Sequence, residues 1–249
     1  MPRLAQGEVD THTFAGNFTF TAARIANLGA TEYTLVDIEV DMSSSVDSFI
    51  GELITMVETA VDACRKSPRS DNLLVRVAAF SSRFKNGTSE VHGFIPLNDI
   101  DPAVYQTLKT GGMTPLNDAC FTGIGAMNAY GKMLADQDFL ANGITFVITD
   151  GEENASTSTT QMVKKEVEKA VKSEVLESHI SVLIGINASS CAASLSAFQR
   201  DAGMTQFIDA GSATKGNLAK LAAFVSQSVS STSQALGTGG SSQNIAATI

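Results

Sequence analysis

The chain has 249 residues, 43% of them hydrophobic, enough for one α/β domain with extensions or at most two small domains. A formal charge of −9 argues against a nucleic-acid partner, since a polyanion is drawn to a basic surface. No run of about 18 apolar residues is present, so the sequence predicts no membrane-spanning helix.

The opening stretch, Met1 to Asp10, lacks the basic-then-apolar layout of a secretory signal. Residues 1–32 hold a short β-like piece, Phe14 to Phe20, and then Arg24 to Gly29. They read as an N-terminal extension that packs on the domain. From Tyr33 onward, strand and helix patterns alternate, which favours a mostly parallel sheet covered on both faces. Tyr33 to Val40 reads as a strand. Val46 to Lys66 has Phe49, Leu53, Met56, Val57, Ala60 and Cys64 at helical spacing and stops before Pro68. Leu73 to Phe80 and Val91 to Ile95 read as strands, Leu116 to Leu134 as a helix and Ile144 to Thr149 as a buried strand. Thr159 to Ser178 is a charged amphipathic helix, Ile180 to Ile186 a strand, and Ala192 to Ala202 a helix. Gln206 to Ile208 is a short strand and Leu218 to Val229 the last helix. Ser230 to Ile249, rich in Ser, Gly and Ala, reads as a flexible tail. The main domain is therefore 33–229, between the 1–32 extension and the 230–249 tail.

The cysteines, Cys64, Cys120 and Cys191, are odd in number, widely spaced and set in apolar patterns. That predicts buried free thiols in a reducing compartment, with the cytoplasm as the expected address.

Three separated pieces carry the chemistry: Asp41-Met42-Ser43-Ser44-Ser45, Thr114 in a Gly111-Gly112 loop, and Asp150-Gly151. Each lies where a strand pattern ends or a helix opens, the place where an open α/β sheet builds its sites. The donors are two carboxylates and three hydroxyls. Hard oxygens suit Mg²⁺, Mn²⁺ or Ca²⁺ and disfavour zinc or copper. Each residue also has an ordinary local role. Ser45 could N-cap the following helix, Thr114 could form the turn before Pro115, and Asp150 could open an Asp-Gly turn.

The order D-x-S-x-S, T, D resembles the metal-ion-dependent adhesion site (MIDAS) of the von Willebrand factor type A (vWA) family, over about Tyr33 to Ser228. The resemblance implies a doubly wound, Rossmann-like α/β fold, with Val91–Ile95 as a short antiparallel edge strand. It implies that Ser43, Ser45 and Thr114 ligate the metal directly, with Asp41 and Asp150 acting largely through water. Neutral hydroxyl ligands leave the ion positive, so it seeks a carboxylate from a partner protein. One departure from the family is mild: Ser44 replaces the small glycine usual before the second serine. The absence of a signal or anchor gives a looser resemblance to stand-alone prokaryotic vWA proteins of the tellurite-resistance type.

Other features carry separate expectations. Asp118 should complement a helix dipole, and Glu152 and Glu153 should be a solvated acidic loop. Asp37, Glu39 and Asp41 alternate with Val36, Ile38 and Val40, whereas a strand buried on both faces should be apolar throughout. Buried carboxylates need partners, so Asp37 or Glu39 should pair with Arg76; a second metal there is the sharper alternative.

Function is thus expected to be metal-dependent protein binding, without catalysis. No phosphate-cradling loop, nucleophile elbow or dinucleotide fingerprint occurs, and His12, His92 and His179 lie outside the motifs. The alternatives are a building block that self-assembles through its terminal arms, and a metal-dependent hydrolase.

Overall fold

The computed structural model describes residues 9–15, 18–172 and 175–238. Its centre is an eight-stranded sheet in the order β1-β2-β5-β4-β3-β6-β7-β8. The strands are β1 (Val9–Phe14), β2 (Phe18–Ala23), β3 (Glu32–Asp41), β4 (Leu73–Phe80), β5 (Thr88–Pro96), β6 (Leu140–Thr149), β7 (His179–Gly185) and β8 (Gln206–Asp209). Strands β4, β3, β6, β7 and β8 run parallel, and β5 is antiparallel to β4. The fold is the expected α/β class, and the sheet extends beyond β5. The β1–β2 hairpin continues it, with β2 meeting β5 in parallel at Ala22 and Phe94.

Five α-helices cover the sheet: α1 (Ile50–Arg65), α2 (Leu116–Ala135), α3 (Thr160–Lys172), α4 (Ala192–Asp201) and α5 (Lys215–Thr238). On one face Val36, Ile38 and Val40 of β3 pack with Leu53, Met56 and Val57 of α1 and Leu221 and Val225 of α5. On the other, Ile124 of α2, Val163 of α3 and Leu195 of α4 share a cluster with Phe80 and Val147. All three cysteines are free and buried, as expected.

Two helices differ from their patterns. The charged helix ends at Lys172, short of Ser178, and 173–174 lie outside the described residues. The last helix runs nine residues past Val229, to Thr238, while 239–249 lie outside them. Composition concealed this extension because its buried face is made of small polar residues. Thr232 and Ser233 are buried, the Thr232 carbonyl accepts from Asn142 Nδ2 at 2.7 Å, and Ser233 Oγ accepts from Arg69 Nε at 3.1 Å.

The acidic face of β3 is the largest departure from an apolar core. Arg76 of β4 stands in register with Asp37, and its Nη1 donates to Asp37 Oδ1 and to Glu39 Oε1, both at 2.6 Å. Its Nε donates to Glu90 Oε2 at 2.9 Å. Both expected carboxylates therefore take the same arginine. Asp37 Oδ2 and Glu39 Oε2 remain buried without a hydrogen-bond partner. One guanidinium facing three carboxyl groups leaves an excess of negative charge if all ionise, and burial resists this. Burial pushes the Glu39 carboxyl up to about 8 and raises Asp37 in the same direction. Helix α2 crosses this cluster at Gly123, where a Cβ would stand 2.3 Å from Asp37 Oδ2.

Candidate metal centre

The three motif pieces meet at the C-terminal ends of β3 and β6, beside the start of α2. Asp41 ends β3 and is buried; its Oδ1 accepts from Ser43 N and its Oδ2 from Thr149 Oγ1, each at 2.7 Å. Burial raises the Asp41 carboxyl to about 6, and the Ser43 and Thr149 hydrogen bonds hold it from going higher. The turn after Asp41 sets Ser43 Oγ 3.0 Å from Ser45 Oγ, and Ser45 Oγ donates to Asp150 Oδ1 at 2.6 Å. Asp150 is likewise raised by burial.

Thr114 arrives on a loop clamped from both sides. Gly111 N donates to Met42 O at 2.9 Å and Ser44 N to Gly112 O at 3.0 Å, fastening the loop to the serine turn. Gly112 has φ +79°, and a Cβ there would lie 2.7 Å from Ser82 Oγ, so the position suits glycine on both counts. Thr114 N donates to Asn154 Oδ1 at 2.8 Å, and its Oγ1 lies 3.5 Å from where a Cβ on Gly151 would stand. Asp41, Ser43, Ser45 and Asp150 are thus linked through hydrogen bonds, and Thr114 lies beside the Asp150-Gly151 turn.

These oxygens fit a hard cation. Adjacent ligands of an octahedral Mg²⁺, at about 2.1 Å from the ion, lie about 3.0 Å apart. The Ser43–Ser45 spacing of 3.0 Å matches that edge. Ser43 makes no side-chain cap bond to the 3₁₀ turn at Ser44–Phe49 that precedes α1, and the Ser45 hydroxyl goes to Asp150, so capping does not account for either serine. Among the described residues no group of three or more His, Cys, Asp or Glu side chains is arranged to hold a metal. The candidate set has two carboxylates and three hydroxyls, and so is of a different kind.

Several neighbours have roles beyond those the sequence suggests; Asp118 does lie in the first turn of α2, as expected. Glu153 is a structural cap, accepting from Asn117 N at 2.7 Å, Ala155 N at 2.8 Å and Ser156 N at 2.7 Å. It anchors the loop after β6 to the start of α2, a role that its place in an acidic pair hid. Asp118 reaches across to the same loop, accepting from Thr157 N at 3.0 Å and Ser158 N at 2.8 Å. Thr149 and Asn154, which position Asp41 and Thr114, carry no sequence signal that separates them from ordinary strand-end and loop residues. His92 and His179 are half-buried, with protonation pushed down to about 4 by desolvation, and their ring nitrogens face Tyr105 and Thr145 respectively.

No family model and no curated protein matches the sequence. Solved structures do match the fold. The open conformation of the pilus adhesin SpaC from Lactobacillus rhamnosus GG superposes with a TM-score of 0.58 at 12% identity, over 90% of this chain and 34% of that one. Proximal thread matrix protein 1 (PTMP1) from the mussel byssus gives 0.56 at 16% identity, over 80% of this chain and 47% of that one. Another structure of PTMP1, with a zinc-occupied MIDAS motif, gives 0.52 at 15%, over 80% and 46%. The chain spans a third to a half of the length of these proteins. The likeness defines a vWA-like fold, and one such neighbour holds a divalent metal in its MIDAS.

Proposed function

We propose that the chain is a divalent-metal-dependent protein-binding module, with Asp41, Ser43, Ser45, Thr114 and Asp150 holding the ion. The observation that carries this reading is the Ser43–Ser45–Asp150 chain of oxygens, spaced 3.0 and 2.6 Å apart at the mouth of a parallel sheet. The bound ion would supply a positive centre with a ligand position for a carboxylate of a partner protein. The chain's part is to hold the donors: β3 fixes Asp41, the serine turn presents two hydroxyls, and the clamped 111–114 loop presents the third. The zinc-occupied MIDAS of PTMP1 supports divalent-metal binding; the all-oxygen donors favour Mg²⁺, Mn²⁺ or Ca²⁺.

In this reading the protein is not an enzyme. General-base chemistry wants a group poised near a reacting water, and His92 and His179 are engaged elsewhere. The three buried free thiols support a reducing, intracellular setting. Among the described residues no helix is long and apolar enough to cross a membrane. Calorimetric titration with Mg²⁺, Mn²⁺, Ca²⁺ and Zn²⁺ tests the site, with Ser45→Ala and Asp150→Asn as controls. Saturable binding weakened by both substitutions is the expected result. Binding of none of the four ions, or binding by both variants as tight as that of the wild type, would refute it.

A further inference from the structure

A basic groove shares the 109–114 loop with the candidate metal centre. In a chain of charge −9, Arg83, Lys85 and Lys109 cluster on the loop after β4 and on the segment leading to Thr114. None of the three forms an ion pair among the described residues, and all three are exposed. Arg83 is also held in place. Its guanidinium donates to Thr110 O at 2.9 Å and to Lys109 O, and sits 4.9 Å over the Phe84 ring. Those carbonyls orient the charge without neutralising it. Beside it lies a cavity of about 320 Å³, with Arg83 and Lys109 at the rim and Phe84, Val104 and Leu108 as apolar wall. Glu90 also lines it, but its carboxylate already accepts from Arg76 Nε at 2.9 Å and Thr21 N at 2.9 Å.

The groove is joined to the metal centre by backbone. Ser82 N donates to Met113 O at 3.0 Å, and Met113 N to Ser82 Oγ at 2.9 Å, so the Arg83 loop is pinned to the Thr114 loop. Met113, between them, is 54% exposed. Lys109 and Thr114 are five positions apart, so the chain joining them spans at most about 17 Å. A single extended segment of a partner can reach both ends.

We infer that the partner is an acidic polypeptide segment with at least two carboxylates, one for the metal centre and another for Arg83 and Lys109, and with an apolar side chain for the Phe84–Leu108 wall. This rests on the metal-dependent reading for the first carboxylate only. Charge complementarity selects the occupant: three unpaired cations on an otherwise acidic molecule attract a short acidic segment locally, while salt screens the more distant negative charge beyond about 8–10 Å. A nucleic acid, longer and more densely charged, would extend past the same three cations onto the acidic remainder of the surface.

Fluorescence anisotropy with a fluorescein-labelled peptide of alternating aspartate and leucine, and its asparagine counterpart, tests this in Mg²⁺ and in EDTA. The wild type should bind the aspartate peptide and not the asparagine one. Arg83→Gln with Lys109→Glu should weaken binding about tenfold, and the remainder should still be lost in EDTA. Lys109→Glu alone, on an exposed side chain, should weaken it about threefold with unchanged circular dichroism. If EDTA has no effect while the double variant abolishes binding, the groove stands and the metal reading falls. The inference is overturned if the wild type ignores the aspartate peptide, if both groove variants bind it as the wild type does, or if a labelled oligonucleotide binds more tightly.

Discussion

Thr114 and Asp41 occupy opposite ends of the same energetic scale. Thr114 offers a neutral hydroxyl, and its backbone bonds to Asn154 do not depend on the side chain. Thr114→Ala should therefore lower metal affinity about tenfold while costing about 1 kcal/mol or less in stability. Asp41 is buried, accepts two hydrogen bonds, and supplies charge to the site. Asp41→Ala removes the charge, leaves the Ser43 N–H without its acceptor and the Thr149 hydroxyl with only Gly151 O at 3.1 Å, so it should abolish measurable metal binding and cost about 1–3 kcal/mol as well. Titration calorimetry in parallel with urea unfolding separates the two. Equal metal affinity in Thr114→Ala and wild type would remove Thr114 from the site.

At the scale of elements, the Asp37–Glu39–Arg76 cluster joins β3 to β4, and α2 packs over it at Gly123. Glu39 is raised by burial from an ordinary value of 4.5 to about 8, so between those limits the folded state holds a proton that the unfolded chain has released. The sign follows: this group stabilises fully below about 4.5, and its contribution declines as pH rises to about 8, by up to about 1.4 kcal/mol per unit. Glu39→Gln, which mimics the protonated form, should flatten that decline. Urea unfolding of both proteins at pH 5 and pH 8.5, values that bracket roughly the same window, reads it; parallel curves would show that Glu39 ionises normally. The same contact makes Gly123 a packing requirement. Gly123→Ala places a methyl 2.3 Å from Asp37 Oδ2 and should cost about 1–3 kcal/mol, lowering Tm despite alanine's better helix propensity. An unchanged or higher Tm would mean that the helix shifts freely over the cluster.

Periodicity and motif order made much of this element-level organisation legible. Strand β4 coincides with its pattern, and Arg76 could be matched to β3 because acidic residues on a central strand demand a cation. Less legible were contacts made by residues of ordinary appearance. Asp118 binds a loop 39 to 40 positions further along, and Glu153 ties that loop back to Asn117, 36 positions earlier; no local spacing encodes either contact. The β1–β2 hairpin was visible only as a β-like piece, since its place in the sheet depends on a non-local meeting with β5 at a single register pair.

For the whole molecule, the end of α5 decides whether the C-terminal region is arm or core. Residues 230–238 continue a helix whose Leu236 is 8% exposed and whose Thr232 carbonyl satisfies the buried Asn142 amide, which in turn accepts from Thr34 Oγ1 at 2.7 Å. Residues of an arm that reaches into a neighbour would leave their own domain intact on removal. Here removal uncovers apolar surface where Leu236 packed and orphans a buried donor, losses of about 1.5–3 and about 1–3 kcal/mol. Truncation after Val229 should therefore destabilise by about 3 kcal/mol or more, measured by urea unfolding against truncation after Thr238 as the baseline. Because the Thr34–Asn142–Thr232 chain lies at the opposite ends of β3 and β6 from Asp41 and Thr149, metal affinity should survive in whatever fraction remains folded. A Val229 truncation as stable as the Thr238 one, with self-association lost, would instead make the helix end an assembly arm.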